Sequence, residues 1–173
     1  MDLIVEAVAK ATTGMARMGE RRFPCVLGRS GIYADKREGD GATPAGRFPL
    51  RRVLYRADRD PAPDTVLPSR PLRESDGWCD EPLSPSYNQP VFLPFAASHE
   101  EMWRQDRLYD LVVVIGHNDA PVVPYLGSAV FLHVASPDRE PTAGCVAFAK
   151  QDLLEILSRL GPADSISIRL VES

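Results

Sequence analysis

Apolar positions in this chain recur mostly at every second residue or in short unbroken runs, the spacing of strands rather than helices. Residues 3–9 alternate loosely and predict a first strand, followed by a Thr12-Thr13-Gly14 turn. Residues 22–28 predict a second, and Pro24, with no N–H for a ladder, assigns it an edge or first-residue position. A strand over 48–55 is interrupted by consecutive Arg51 and Arg52, the mark of a bulge. Residues 111–116 are apolar without a break and predict a strand buried on both faces. Residues 128–132 predict another, which delivers His133 at its tip, and clean alternation over 165–170 gives the closing strand. Two short helices are expected. Ser98 followed by Glu101 has the form of a capping box and predicts a turn or two of helix through Arg104, with His99 solvated at its start. Residues 149, 153, 154, 157 and 160 form an apolar helical stripe, stopped by Gly161-Pro162.

The loops between these elements are long. Residues 31–46 are rich in turn formers, and 58–88 carry prolines at 61, 63, 68, 71, 82 and 85. A stretch of that length without periodicity in a compact domain is usually functional. Sixteen prolines in 173 residues are nearly twice the usual share of about 5% and argue for strands joined by irregular loops rather than a helical bundle. Hydrophobic content of 44% and charged content of 25% are ordinary globular values, and the length fits one domain over 1–173. A net charge of −4 provides no basic footprint for nucleic acid. No apolar run approaches the roughly 18 residues of a membrane span.

Three cysteines cannot all pair with one another, so at least one thiol is free. Cys25 reads as a small buried hydrophobe in its strand. Cys79, beside Asp80 and Glu81, sits in an acidic setting that disfavours a thiolate. Cys145 is different. It follows Gly144, and His133 precedes it by twelve positions across a polar, Pro-punctuated loop that can fold back. An imidazole that removes a thiol proton and a thiolate that attacks a carbonyl are the minimum equipment of cysteine nucleophilic catalysis. Gly144 permits a tight turn that aims the amides of residues 144 and 145 at a developing oxyanion.

The segment Gly39-Asp40-Gly41-x-Thr43-Pro44-x-Gly46-x-Phe48, then Phe131-Leu132-His133, then Thr142-x-Gly144-Cys145-Val146, closely resembles the YkuD-type L,D-transpeptidase catalytic domain of bacterial cell-wall enzymes. The resemblance spans roughly residues 28–148. It implies a mainly β fold, a β-sandwich with the Cys-His loop over one sheet, needing no cofactor and no metal. It implies a monomer acting on peptidoglycan stem peptides, with Cys145 forming a thioester at the carbonyl after the third stem residue and His133 as base. Ser136 or the backbone would orient His133, and Thr142 lies in the same motif. The resemblance also implies the periplasm or cell envelope, whereas the first residues show no signal sequence, which leaves a cytoplasmic location open. Two positions depart from the family pattern: Ala143 stands where a second His is usual and Ala147 where Arg or Asn is usual. Arg139, the nearest cation to Cys145 along the chain, is a candidate to hold the stem-peptide carboxylate instead. With a shorter His-to-Cys loop as well, the acyl group is expected to pass to water as well as to an amine.

Some readings stay open at this stage. Trp78 is either a wall of the substrate cleft or a core aromatic, and His117 either contacts substrate or is a strand-end residue in a turn. A zinc site of His117, His133 and Cys145 has suitable ligand types but long spacings and no fourth ligand. A glycan- or peptide-binding module that has lost turnover is the third class.

Overall fold

The structure is a computed structural model and describes residues 1–172. Its elements in chain order are β1 (Asp2–Ala7), β2 (Thr13–Met18), β3 (Arg21–Val26), β4 (Ile32–Tyr33), β5 (Thr43–Pro44), β6 (Gly46–Tyr55), β7 (Ser69–Pro71), β8 (Asp76–Cys79), β9 (Pro90–Phe92), β10 (His99–Glu101), β11 (Leu111–Ile115), β12 (Phe131–Val134), β13 (Val146–Phe148), α1 (Lys150–Leu157) and β14 (Ser165–Leu170). The fold is mainly β, as the alternation predicts.

The strands do not form two facing sheets. In the order β6, β11, β12, β13, β3, β2, β1, β14 each is hydrogen-bonded to the next, and β14 returns to β6 to shut a ring. The expected sandwich is therefore a closed barrel with added sheets, and its closure rests on β6. Residues 46–49 of β6 pair with β14, while residues 50–55 pair with β11. Arg52 opposes Val114 and Leu50 opposes Ile115, so Arg51 is the extra residue of a bulge at the site the sequence marked. A bulge bends its strand and sharpens the twist, which lets one ten-residue strand serve two neighbours in different directions. Pro24 lies in β3 beyond the last rung that β3 shares with β13, where its missing N–H leaves no gap in that ladder.

Strand alternation sorts side chains into two apolar clusters. Leu3, Val5, Phe23, Val113, Leu132 and Phe148 fill the barrel interior, and α1 adds Leu153, Ile156 and Leu157. Fully burying one such side chain is worth about 1.5–3 kcal/mol. The opposite faces of β11 and β12 carry Val112, Val114 and Phe131 to a second cluster outside the barrel, which also takes in Trp78, Met102, Tyr109 and Cys145. A small sheet ordered β10, β8, β9 supplies Trp78 to it. β11 thus buries both faces, for two different cores.

Among the described residues there is one helix, α1, and the helix expected from Ser98 is absent. His99, Glu100 and Glu101 instead pair with Cys79, Trp78 and Gly77 of β8. The ladder extends on both sides, with the Asp80 N–H donating to Ser98 and the Met102 N–H to Asp76. The capping pattern was local only. No apolar stripe follows it, and Met102 gains more by burial in the outer cluster, where it is 1% exposed. His99 is half-buried in this strand, its Nδ1 2.8 Å from the Ala97 carbonyl, rather than solvated at a helix start.

Candidate active site

The Gly/Asp/Pro segment forms the support beneath the Cys145 loop. The Asp40 carboxylate accepts from the Lys36 ammonium at 2.5 Å, the Arg37 N–H at 2.7 Å and the Ala42 N–H at 2.8 Å, which fixes the turn. The turn presents Thr43, fully buried, whose hydroxyl accepts from the Gly28 N–H at 2.9 Å and donates to the Cys145 carbonyl at 3.4 Å. The Thr142 hydroxyl donates to that same carbonyl at 2.7 Å and accepts the Gly144 N–H at 3.1 Å. Gly144 has φ 142°, and a Cβ there would lie 2.8 Å from the Ala42 carbonyl oxygen. The glycine is required on both counts, by conformation and by close approach.

Cys145 lies one residue before β13, and His133 lies within β12, not at its tip. The two strands are parallel, with Leu132 opposite Val146 and His133 opposite Ala147. His133, Ala147 and Cys145 therefore share the outer face of the barrel wall. All three line one cleft of about 530 Å³. The Val134 carbonyl accepts from His133 Nδ1 at 2.8 Å, so Nδ1 carries the proton and Nε2 holds the lone pair that a base needs. The Cys145 thiol donates to the Ala129 carbonyl at 3.2 Å and accepts the Phe131 N–H at 3.3 Å. Because the Gly144 N–H is engaged by Thr142, the Cys145 N–H is the amide left without a partner among the described residues.

Burial governs the electrostatics. It pushes the Cys145 thiol up to about 12, helped by the nearby Glu100 charge, and pushes His133 down to about 4. Both groups are neutral at rest near pH 7, so the site holds a thiol and an imidazole rather than a preformed ion pair. Proton transfer has to accompany attack on a carbonyl, as in general-base catalysis.

The remaining wall of the cleft is charged. Lys36, Arg29 and Arg104 line it, as do Glu38, Asp80 and Glu100. Lys36 is committed to Asp40, and Arg104 pairs with Asp106 at 2.6 Å. Arg29 has no carboxylate partner among the described residues. Tyr109 donates its hydroxyl to Glu100 at 3.1 Å and sets its ring edge-on to His133, centroids 5.4 Å apart.

Compared with known protein families, residues 6–168 match the model of the L,D-transpeptidase catalytic domain, the YkuD family, over nearly the whole chain. The chain belongs to that family. Its members are in general enzymes that act on peptidoglycan. Among curated proteins and among solved structures nothing matches.

In this L,D-transpeptidase domain, Cys145, His133, Gly144, Thr142 and Ser136 come together around the cleft. Arg139 does not line it. It sits exposed at φ 53° in the connecting loop, where its N–H donates to the Ser136 carbonyl. Trp78 does not line the cleft either: it packs in the outer cluster, edge-on to Phe131 with its indole N–H donated to Asn88 at 3.0 Å, and borders a second cleft instead. His117 lies on that separate cleft of about 450 Å³ with Arg51, Asn88 and Gln89, its Nε2 donating to the Leu126 carbonyl at 3.1 Å. The three proposed zinc ligands are thus divided between two clefts, and no group of three or more potential ligands occurs among the described residues. No helix among them is long and apolar enough to cross a membrane. Sequence reasoning missed Glu100, Tyr109, Arg29 and Lys36 as cleft residues. For Glu100 the misleading signal was the capping box itself, since a helix would have turned it elsewhere.

Proposed function

We propose that this chain is a cysteine acyl-transfer enzyme, one catalytic domain acting on peptidoglycan stem peptides in the cell envelope. Cys145 attacks the carbonyl after the third stem residue, and its proton passes to Nε2 of His133 and from there to the departing amine. The carbon–nitrogen bond breaks as the carbon–sulfur bond forms, leaving a thioester. The Cys145 N–H is the donor for the developing oxyanion. The observation that carries this reading is the joint opening of Cys145 and the free Nε2-bearing face of His133 on one cleft, over a loop braced by Thr43 and Thr142.

The acyl group then passes to an amine of another stem or to water. Ala143 and Ala147 both line the cleft, where they leave a smaller and less polar wall than the family's usual residues. A wall of that kind holds an acceptor amine weakly and admits water, so hydrolysis accompanies cross-linking. Arg29, rather than Arg139, is the guanidinium placed to hold a substrate carboxylate.

Incubating the protein with a tetrapeptide donor, with and without excess amine acceptor, tests the reading by mass spectrometry of the products. Tripeptide alongside cross-linked dimer, with a transient adduct on Cys145, is the expected result. Dimer that dominates even at low acceptor concentration would remove the hydrolytic part. An unmodified Cys145 would remove the whole.

A further inference from the structure

Deacylation needs a group that takes a proton from the incoming amine or water, and the cleft offers few. The chain has three histidines. His133 lines the cleft, whereas His117 opens on another and His99 is tied to the Ala97 carbonyl. The residue that precedes Gly144 and Cys145 is Ala143, which offers no base. Several carboxylates line the cleft; Glu38 accepts from the Ser128 hydroxyl and Asp106 pairs with Arg104, whereas Glu100 is held by a residue that also abuts His133. Glu100 comes from β10 on the covering sheet, across from the barrel wall that supplies Cys145 and His133. The Tyr109 hydroxyl reaches both of its oxygens, at 3.1 and 3.3 Å, while the Tyr109 ring abuts His133.

We propose that Glu100 is a second catalytic base of this cleft, accepting the proton of the attacking amine or water as the Cys145 thioester opens, with Tyr109 as its positioning residue. This rests on the acyl-enzyme reading above. The acceptor's N–H or O–H gives its proton to a Glu100 oxygen as its nitrogen or oxygen bonds the acyl carbon. The carbon–sulfur bond then breaks, its electron pair goes to sulfur, and the proton passes from Glu100 to the Cys145 thiolate. His133 serves the acylation half and Glu100 the deacylation half.

The surroundings suit the role. The charged and titratable groups that share the cleft with Glu100 are Tyr109, Arg104 and Asp106 from the segment before β11, Asp80 after β8, Lys36 and Glu38 after β4, Arg29 after β3, Glu140 from the loop before Cys145, and Cys145 and His133 from the wall. Asp80 Oδ1 is buried without a hydrogen-bond partner among the described residues. Burial first, then Asp80 and Glu38, raise the Glu100 carboxyl to about 7 against the opposing pull of Tyr109 and Arg104. A base that changes state near neutral pH takes up and releases a proton with little loss in either direction.

The test follows decay of the Cys145 adduct by intact-protein mass spectrometry across pH in the wild type, Glu100→Gln, Glu100→Asp and Tyr109→Phe. In the wild type the decay rate should rise with pH through a limb near 7, where Glu100 ionises. In Glu100→Gln the adduct should still form, decay should slow on the order of 10²-fold, and the limb should vanish. Glu100→Asp should recover part of the rate together with the limb. Tyr109→Phe removes a hydrogen bond that favours the carboxylate, so its limb should move to higher pH. An adduct that decays in Glu100→Gln at the wild-type rate and with the wild-type limb overturns the proposal. If Glu100→Gln fails to fold, an unmoved limb in Tyr109→Phe overturns it instead. A wild type that never forms the adduct defeats the acyl-enzyme reading, and this proposal with it.

Discussion

Cys25 and Cys145 lie on opposite faces of the same patch of barrel wall. Cys25 opposes Phe148 in the β3–β13 ladder and points into the barrel, fully buried. Cys145 stands three residues before Phe148 and joins the outer cluster, 8% exposed. Burial raises both thiols to about 12. Acidity therefore does not distinguish the proposed nucleophile from the packing residue. What distinguishes them is that one sulfur opens on a cleft with a neutral imidazole and a free amide, while the other is enclosed in the barrel interior. The barrel wall works as a partition, with one apolar core on its inner face and, on its outer face, a second cluster and the cleft of the proposed chemistry.

The contrast should be sharpest under direct substitution. Cys145→Ser should abolish adduct formation and turnover, whereas Cys25→Ser should keep both at the cost of about 1–3 kcal/mol for a buried hydroxyl. Denaturant unfolding beside the product assay reads the two effects separately. Turnover that survives in Cys145→Ser would put the nucleophile elsewhere.

His133 and His117 extend the comparison to bases. His133→Ala should slow acylation on the order of 10²–10⁴-fold with little change in thermal stability. His117→Ala should cost far less, since its ring opens on the other cleft. A larger acylation defect in His117→Ala at equal stability would exchange the two roles.

Val112 and Val113 are adjacent on β11, both fully buried, one facing the cleft cluster and one the barrel interior. Each Val→Ala change should lower stability by about 2 kcal/mol through lost burial and a small cavity. Only Val112→Ala should alter acylation, because it loosens the cluster that holds Tyr109 and Phe131. Equal kinetic effects from both would dissolve the partition.

The smallest effect is one the two thiols share. Each keeps its proton in the folded chain to about pH 12, while unfolding returns it to its ordinary value near 9. Above pH 9 the folded chain therefore binds more protons than the unfolded one, and stability falls as pH rises. Cys25→Ala and Cys145→Ala should each flatten part of that alkaline slope in urea titrations at pH 9–10.5. A slope that only one variant changes would break the equivalence of the two sites.

Much of this was legible along the chain. The alternation at β1, the unbroken run at β11, the stripe of α1 and the bulge at Arg51 are local patterns with local causes, and the structure contains each. Cys145, His133 and the turn segment ending at Gly46 were legible as three ordered pieces whose meeting the fold accomplishes. What stayed hidden depended on pairing between distant segments. Thr13 and Gly14 read as a turn but begin β2, since Val26 and Cys25 of β3 supply their partners. The segment 98–101 obeyed a helix rule until β8 offered it a ladder. Barrel closure was invisible because it needs β6 to meet two strands at once, and no window of sequence contains all three. Glu100 and Arg29 entered the cleft by the same long-range route.

The ring also dictates an order of events. β1 lies parallel to β14, from Asp2 opposite Ser165 to Ala7 opposite Leu170, and β14 joins β1 to β6. Nearly the whole described chain must leave the ribosome before that strand exists, an interval of roughly ten to thirty seconds at ordinary elongation rates. Until then the nascent chain has β1 and β6 as bare edges, open to pairing with other chains. Contacts this distant in sequence also place folding toward the slow, millisecond-to-second end for small domains. The barrel is shut only when the last stave is set, so a ribosome-bound chain lacking β14 should be hungry for a chaperone.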